Sequence, residues 1–348
     1  MNSIQIISKY RTHIMGIAIL WVMLFHANND FGYNIINRLS SIGYGGVDIF
    51  LFISGFGLYY ASRKEYSTTE FYKKRLVRIF PSYLLILLLI DIFIGTFSLS
   101  SYLIKLTTIG FWLPFTHLPY FTWYIPAIIA FYLIFPFYIK LFNKKPIVST
   151  IIAILFGLGV SALYSYVFTV CYPEEKNHLM LFTSRIPIFF IGVYFGMLSL
   201  NEQKFFRHKY IICITMFIIG LTILFFSIQK LDYWTLRNQG LYYYPFILIT
   251  PGLCLILGKC LSFLPSFINK IFFFIGSISL EIYLIHETLF NYNRNIIDYL
   301  HCSTSIGFII LIVISIFIGY IISYSVKWLE QMLAKYSRYK DNYNKKLE

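Results

Sequence analysis

The sequence predicts an all-α fold, a polytopic bundle of about ten transmembrane helices with both termini cytoplasmic, and three observations carry that prediction. Of the 348 residues 58% are hydrophobic and only 13% charged, with a mean hydropathy of +0.69, far from the balance of a soluble domain. Apolar runs of about twenty residues, enough to cross ~30 Å of hydrocarbon, recur along the whole chain. Lysines and arginines gather in alternate connections between those runs.

Taken in order, the spans are read at 12–29, 43–61, 79–98, 122–142, 147–169, 183–200, 210–228, 242–258, 271–290 and 304–326. The stretch 102–116 is apolar but short and punctuated by Pro114 and Pro119, so it reads as a re-entrant or interfacial piece. With ten spans and the N-terminus inside, 22 of the 29 Lys and Arg fall in cytoplasmic segments, from Lys9 and Arg11 to the six that begin at Lys327. That asymmetry is the positive-inside bias. It also accounts for the net charge of +14 as orientation and contact with anionic membrane lipids, with no nucleic acid implied. No cleavable signal peptide is read, because the first span is too long and lacks a small-residue cleavage site. Five scattered cysteines form no CxxC pair, so no metal knot is expected. Cys171 and Cys302 would both lie outside, where a bridge between them is compatible with their placement. The domain reading is one membrane-embedded unit, 1–327, followed by a basic cytoplasmic tail, 328–348, as a helix on the inner surface.

An ionisable group inside a bilayer is costly unless paired or wetted, so each one is a functional candidate. The candidates are His26, Asp48, Asp91, Arg185, Glu281 and His286. His26 lies fifteen residues after Arg11, roughly 22 Å along a helix, which places it near the outer face. Asp48 opens the second span there, Arg185 opens the sixth, His286 closes the ninth, and Trp123 and Tyr124 open the fourth. Asp48 therefore has two readings. It orients the His26 imidazole and strengthens it as a base, or it serves the N-terminus of its own helix. For His26 the plain alternative is a histidine hydrogen-bonded within the bundle. At the opposite end, Arg75 and Arg78 stand three apart in "FYKKRLVRIFP", one helix face if helical. With Lys73 and Lys74 they form a cationic cluster suited to phosphates, or ordinary positive-inside charge. Asp91 has no local partner in the sequence.

Six segments in order resemble the acyltransferase-3 family of bacterial membrane-bound acyltransferases: "MGIAILWVMLFH", "GGVDIFLFISGFGL", "YKKRLVRIFPSY", "TWYIPAIIAFYLIFPFY", "SRIPIFFIGVYFG" and "IGSISLEIYLIH". The resemblance implies a multi-pass protein of the bacterial cytoplasmic membrane. It would move an acyl group, usually acetyl from acetyl-CoA, onto a hydroxyl of an extracytoplasmic glycan or glycolipid, without a metal. It implies His26 as general base or transient acyl carrier, and Arg75 and Arg78 at the coenzyme's phosphates. Asp48, Ser54 and Gly55 belong to the second-helix signature, while Arg185, Glu281, Tyr283 and His286 match later motif positions. Tyr124, Ser54 and Arg185 are candidates for stabilising an oxyanion. Many members carry a basic residue where this chain has Met15, and Arg11, one turn earlier, is the expected substitute. The competing reading is a transporter or flippase for a glycan or lipid-linked precursor, to which the span count and intramembrane charges apply equally. A non-catalytic sensor or scaffold of the same fold is the third.

Overall fold

A computed structural model describes residues 4–27, 30–64, 67–112, 122–171, 179–200, 207–230, 242–292 and 304–344. Helices are the only regular elements among them. In chain order they are α1 (Gln5–His26), α2 (Asn34–Ser41), α3 (Gly45–Ser62), α4 (Thr68–Ile94), α5 (Leu99–Thr107), α6 (Tyr124–Lys144), α7 (Pro146–Cys171), α8 (Met180–Thr183), α9 (Ile186–Leu200), α10 (Arg207–Lys230), α11 (Pro245–Phe263), α12 (Ser266–Ser277), α13 (Ser279–Tyr292) and α14 (Thr304–Asn344). Among the described residues, eight helices are long and apolar enough to cross a membrane, or nine if α12 and α13 count as one bent span. The chain is a multi-pass membrane protein. α1 is not among the eight; Lys9, Arg11 and His13 sit in its first half.

The centre of the bundle is α3 with α8–α9. In each of these spans 72% of the most apolar window is buried inside the protein, against 17% for Tyr210–Gln229, so α10 lies on the rim facing lipid. Two glycine seams bring the central helices together. Gly55 of α3 abuts the Phe189 carbonyl of α9, while Gly192 and Gly196 of α9 abut the carbonyls of Phe52 and Phe56. Between α1 and α12, Gly16 meets the Phe272 carbonyl and Gly276 the Thr12 carbonyl. Hydrocarbon tails are as apolar as side chains, so such close backbone approach supplies packing contacts that lipid cannot.

Two expectations are corrected. The ninth span, read as 271–290, breaks at Ile278, and α12 and α13 meet at 74°. Irregular backbone at membrane depth is tolerated where it lines a protein cavity, and Gly276, Ser277 and Ser279 line one. The third span begins eleven residues before its expected start, because Ser67 caps α4 by accepting from the Glu70 N–H at 3.1 Å. The basic C-terminal stretch, expected as a helix, is helical and continuous with the last span in one 41-residue helix, α14. At ~1.5 Å per residue α14 is roughly twice as long as the hydrocarbon is thick.

The stretch 102–116 is described only to Trp112. It forms α5 and a 3-10 turn, Ile109–Trp112, folded back along α4. Lys105 reaches Asp91 at 2.6 Å, the Tyr83 hydroxyl donates to the Lys105 carbonyl at 2.9 Å, and the Tyr102 hydroxyl to the Leu84 carbonyl at 2.9 Å. The partner that the sequence did not offer Asp91 is thus a lysine fourteen residues further on. Cys302 and the side chain of Cys171 lie outside the described residues.

Candidate active site

α1 connects two ends of one site. Arg11 stands on its second turn and His26 is its last residue. At the Arg11 end a cavity of about 570 Å³ opens between α1, α3, α4, α6 and the α12–α13 break, a volume typical of small-molecule sites. Among the described residues five cations line it, namely Arg11, Lys64, Lys74, Arg75 and Arg78, and no acidic side chain does. Arg75 and Arg78 share a face of α4 as their spacing predicts, and Arg75 lies over the Phe71 and Tyr132 rings at 5.5 and 5.9 Å. Lys74 also pairs with Glu70 at 2.7 Å. Both Met15 and Arg11 face the cavity, so the guanidinium enters one turn below the position where the family resemblance expects a cation. α13 starts at the cavity wall, with Ser279 and Leu280 in its lining, so the electropositive end of that helix also faces it.

From Lys64 to Phe50 the cavity follows α3 for fourteen residues, roughly 20 Å. It ends at Ser54, Tyr124 and Tyr283, where the Ser54 and Tyr124 hydroxyls stand 3.5 Å apart. Behind that wall is a histidine pair. Tyr283 packs on His286 (centroids 5.7 Å) and His286 meets His26 edge to face at 5.0 Å. His286 Nδ1 lies 2.7 Å from the Tyr283 carbonyl and 3.2 Å from that of Ile282. Carbonyls only accept, so Nδ1 carries the proton and Nε2 presents its lone pair. Among the described residues this buried Nε2 has no hydrogen-bond partner.

Asp48 is paired across the bundle. Its carboxylate takes the Arg185 Nε–H at 3.3 Å, both side chains being 1% exposed. It lies in the first turn of α3, one of its two sequence readings, with a hydrogen bond from its own backbone N–H, and makes no hydrogen bond to His26 among the described residues. Arg185 sits at the α8–α9 junction, donates from Nη1 to the Leu181 carbonyl at 3.0 Å, and is enclosed by the Trp123 and Tyr243 rings at 5.1 and 4.3 Å. That enclosure leaves Tyr124 and Ser54, which do face the cavity, as the better-placed polar groups. Glu281 lies away from the histidines, accepting from the Ser82 hydroxyl at 2.7 Å.

The groups expected to share one depth do form a connected circuit. His286 leads through Tyr283 and Tyr124 to Trp123 and Arg185. His26 leads back through Phe25, Tyr44 and Tyr243 to the same arginine. The sequence reading missed Gly57, Tyr60 and Tyr132 in the cavity wall. Tyr132 had a signal, since it lies eight residues after Tyr124 on one face of a helix; Gly57, two residues after Gly55 in an apolar run, had none that set it apart from a packing glycine. No group of three potential metal ligands occurs among the described residues.

Comparison with known proteins places this geometry. Two curated relatives from Staphylococcus epidermidis, each named a probable poly-beta-1,6-N-acetyl-D-glucosamine export protein, are 28% identical over 213 residues, 54% of this chain and 54% of theirs. The chain therefore spans about half the length of the curated relatives it matches. No solved structure matches it. The family described as an acyltransferase domain, acyltransferase-3, matches residues 13–325, an interval that holds the histidine pair, the Asp48–Arg185 pair and every cation of the cavity except Arg11. The chain belongs to the acyltransferase-3 family of multi-pass membrane proteins.

Proposed function

We propose that the protein transfers an acyl group, acetyl in the simplest case, from acyl-CoA to a hydroxyl of an extracytoplasmic glycan or glycolipid. The basic end would be cytoplasmic and the His26 end external, in a bacterial cytoplasmic membrane with both termini inside. The observation that carries this reading is the cavity itself, which runs from five cations, with no acid among the described residues of its lining, to a wall of hydroxyls directly in front of two histidines. Three converging arginines, with no acidic side chain among the described residues of the lining, suit the phosphates of a nucleotide-bearing donor, and the long apolar walls suit its extended arm. Arg75, Arg78 and Arg11 hold the phosphates, and the thioester reaches the Ser54–Tyr124–Tyr283 wall. Rotation of the Tyr283 ring opens the way to the histidines.

In the transfer step His26 removes the proton of the acceptor hydroxyl. The oxygen attacks the thioester carbonyl, the C–S bond breaks, and the proton leaves with the coenzyme thiol. His286, its Nδ1 proton held by the Tyr283 carbonyl, presents an Nε2 with no hydrogen-bond partner among the described residues, and a turn of the adjacent His26 ring would bring an N–H onto it. That contact directs the other His26 nitrogen at the acceptor, the role first assigned to Asp48. A Tyr124 or Ser54 hydroxyl is placed to stabilise the oxyanion. Asp48 serves indirectly, by anchoring Arg185 behind Trp123 and Tyr243. The relatives' naming for poly-beta-1,6-N-acetyl-D-glucosamine export supports a polysaccharide as the acceptor class.

That same name favours a second reading, in which the protein exports a glycan. Mass spectrometry of envelope glycans from cells with and without the gene separates the two. Loss of one acyl mass unit per modified sugar in the deletion strain is expected from the transferase. Glycan of unchanged mass but reduced exported amount would instead favour the exporter.

A further inference from the structure

The glycines where α3 faces α1 are of two kinds. At Gly43 and Gly46 an added Cβ would strike α1 itself, at the carbonyls of Trp21 and Ala18, so those positions set the approach of the two helices. Gly57 meets no backbone of another element. What lies over its bare Cα is the tip of one side chain, with Arg11 Nη1 2.8 Å and Arg11 Cζ 3.7 Å from where a Cβ would stand. Both residues line the cavity together with Arg75 and Arg78, and no acidic residue is in the lining among the described residues. Arg11 feels the charges of Arg78 and Arg75, a repulsion that a bound polyanion would convert into attraction.

We propose that Gly57 is a positioning residue for the donor. By presenting no side chain it seats the Arg11 guanidinium as the third arm of a phosphate clamp with Arg75 and Arg78, so that the charge absent at Met15 is delivered from one turn below. This rests on the reading of the cavity as a coenzyme site. The assignment distinguishes Gly57 from the packing glycines by its consequence. A methyl there displaces the far end of a flexible side chain and nothing rigid, so it costs no fold, and alanine in a helix interior is favoured over glycine. What it moves is a charge.

The test is coenzyme A binding, by calorimetry, to the full chain in lipid nanodiscs. Gly57→Ala is expected to weaken binding about tenfold, the loss of one charge-assisted hydrogen bond, with an unchanged thermal midpoint. Arg11→Ala should lose about the same, and the double variant no more than either single one, because both remove one contact. Adding Met15→Arg to Gly57→Ala should restore binding. In acyl transfer the KM for acyl-CoA should rise while kcat and the acceptor KM hold. Wild-type binding by Gly57→Ala, multiplying losses in the double variant, or a lowered midpoint would each overturn the proposal. Arg75→Gln with Arg78→Gln serves as the separate control. Unaltered coenzyme binding there removes the donor site altogether, whereas a loss there with none in Gly57→Ala removes only the role of Gly57.

Discussion

A histidine that gives its Nδ1 proton to a backbone carbonyl has its tautomer chosen for it, and His286 does so at 2.7 Å from Tyr283. Its buried Nε2 lone pair has no hydrogen-bond partner among the described residues and gains only if a neighbour donates to it. The adjacent His26 ring, 5.0 Å away between centroids, is the group that the proposed mechanism turns toward it. His26→Ala is therefore expected to reduce acyl transfer by 10²–10⁴-fold, the usual worth of a positioned general base, with normal insertion and yield. His286→Gln should cost less and show mainly in kcat, measured with acetyl-CoA and isolated glycan acceptor. Equal activity in the His26 variant would remove the imidazole from the reaction. Asp48 calls for a different measurement. Its carboxylate and the Arg185 guanidinium are each 1% exposed, and deleting one partner of such a pair strands the other charge in a poor solvent, a loss of about 3–5 kcal/mol. Asp48→Asn should lower the unfolding midpoint in detergent, and removing the Arg185 charge in the same chain, as Arg185→Gln, should recover part of that loss. A variant with unchanged stability and a shifted pH–rate profile would return Asp48 to a direct role beside His26.

Between helices, backbone contact decides where the elements lie, and glycine position predicts which substitutions matter. Gly192 abuts Phe52 and Gly55 abuts Phe189 across the α3–α9 seam, whereas Gly159 on α7 has nothing within 4 Å. Gly192→Leu should separate α3 from α9 and yield aggregated protein on size-exclusion chromatography, while Gly159→Leu should remain monodisperse; two equivalent profiles would show that the seam does not hold the bundle. The same scale explains what the sequence disclosed. Helices α3, α6, α7, α9, α10 and α11 announced themselves as apolar runs because lipid demands length and hydropathy, and their limits lie within about five residues of the reading. The break at Ile278 did not, since Ser277 and Ser279 are ordinary in a span and only the cavity beside them makes a gap in the hydrogen-bond ladder tolerable. The early start of α4 was present in Ser67 and Glu70, three residues apart in the manner of a capping box, but the positive charges that follow drew the boundary later. Side-chain partners were the least legible. Which acid meets which base depends on helix rotation, so Asp48 could be placed at a depth from sequence alone but not matched to Arg185, 137 residues away.

For the molecule as a whole, direction across the membrane decides whether the proposed chemistry has its reagents, because acyl-CoA belongs to the cytoplasm and the glycan to the exterior. Cations gather at the end of the bundle that holds Lys64, Lys74, Arg75 and Arg78, and α14 extends past its span into the basic stretch that ends the chain. The opposite end carries α2, a short helix tied to its neighbours by Trp21 Nε1–H to the Leu39 carbonyl and by the Ser40 hydroxyl to the Leu24 carbonyl, each at 2.8 Å. On the proposed reading, positive-inside asymmetry would orient the first end to the cytoplasm. With the five native cysteines replaced, Cys260 among them being exposed, single cysteines at Lys73 and at Ile35 report the two ends, since both positions are exposed. A membrane-impermeant maleimide applied to intact cells should label Ile35→Cys at once and Lys73→Cys only after permeabilisation. The reverse pattern would turn the cationic cavity outward, where no coenzyme A is supplied, and the cluster would then have to recognise an external polyanion in place of a donor.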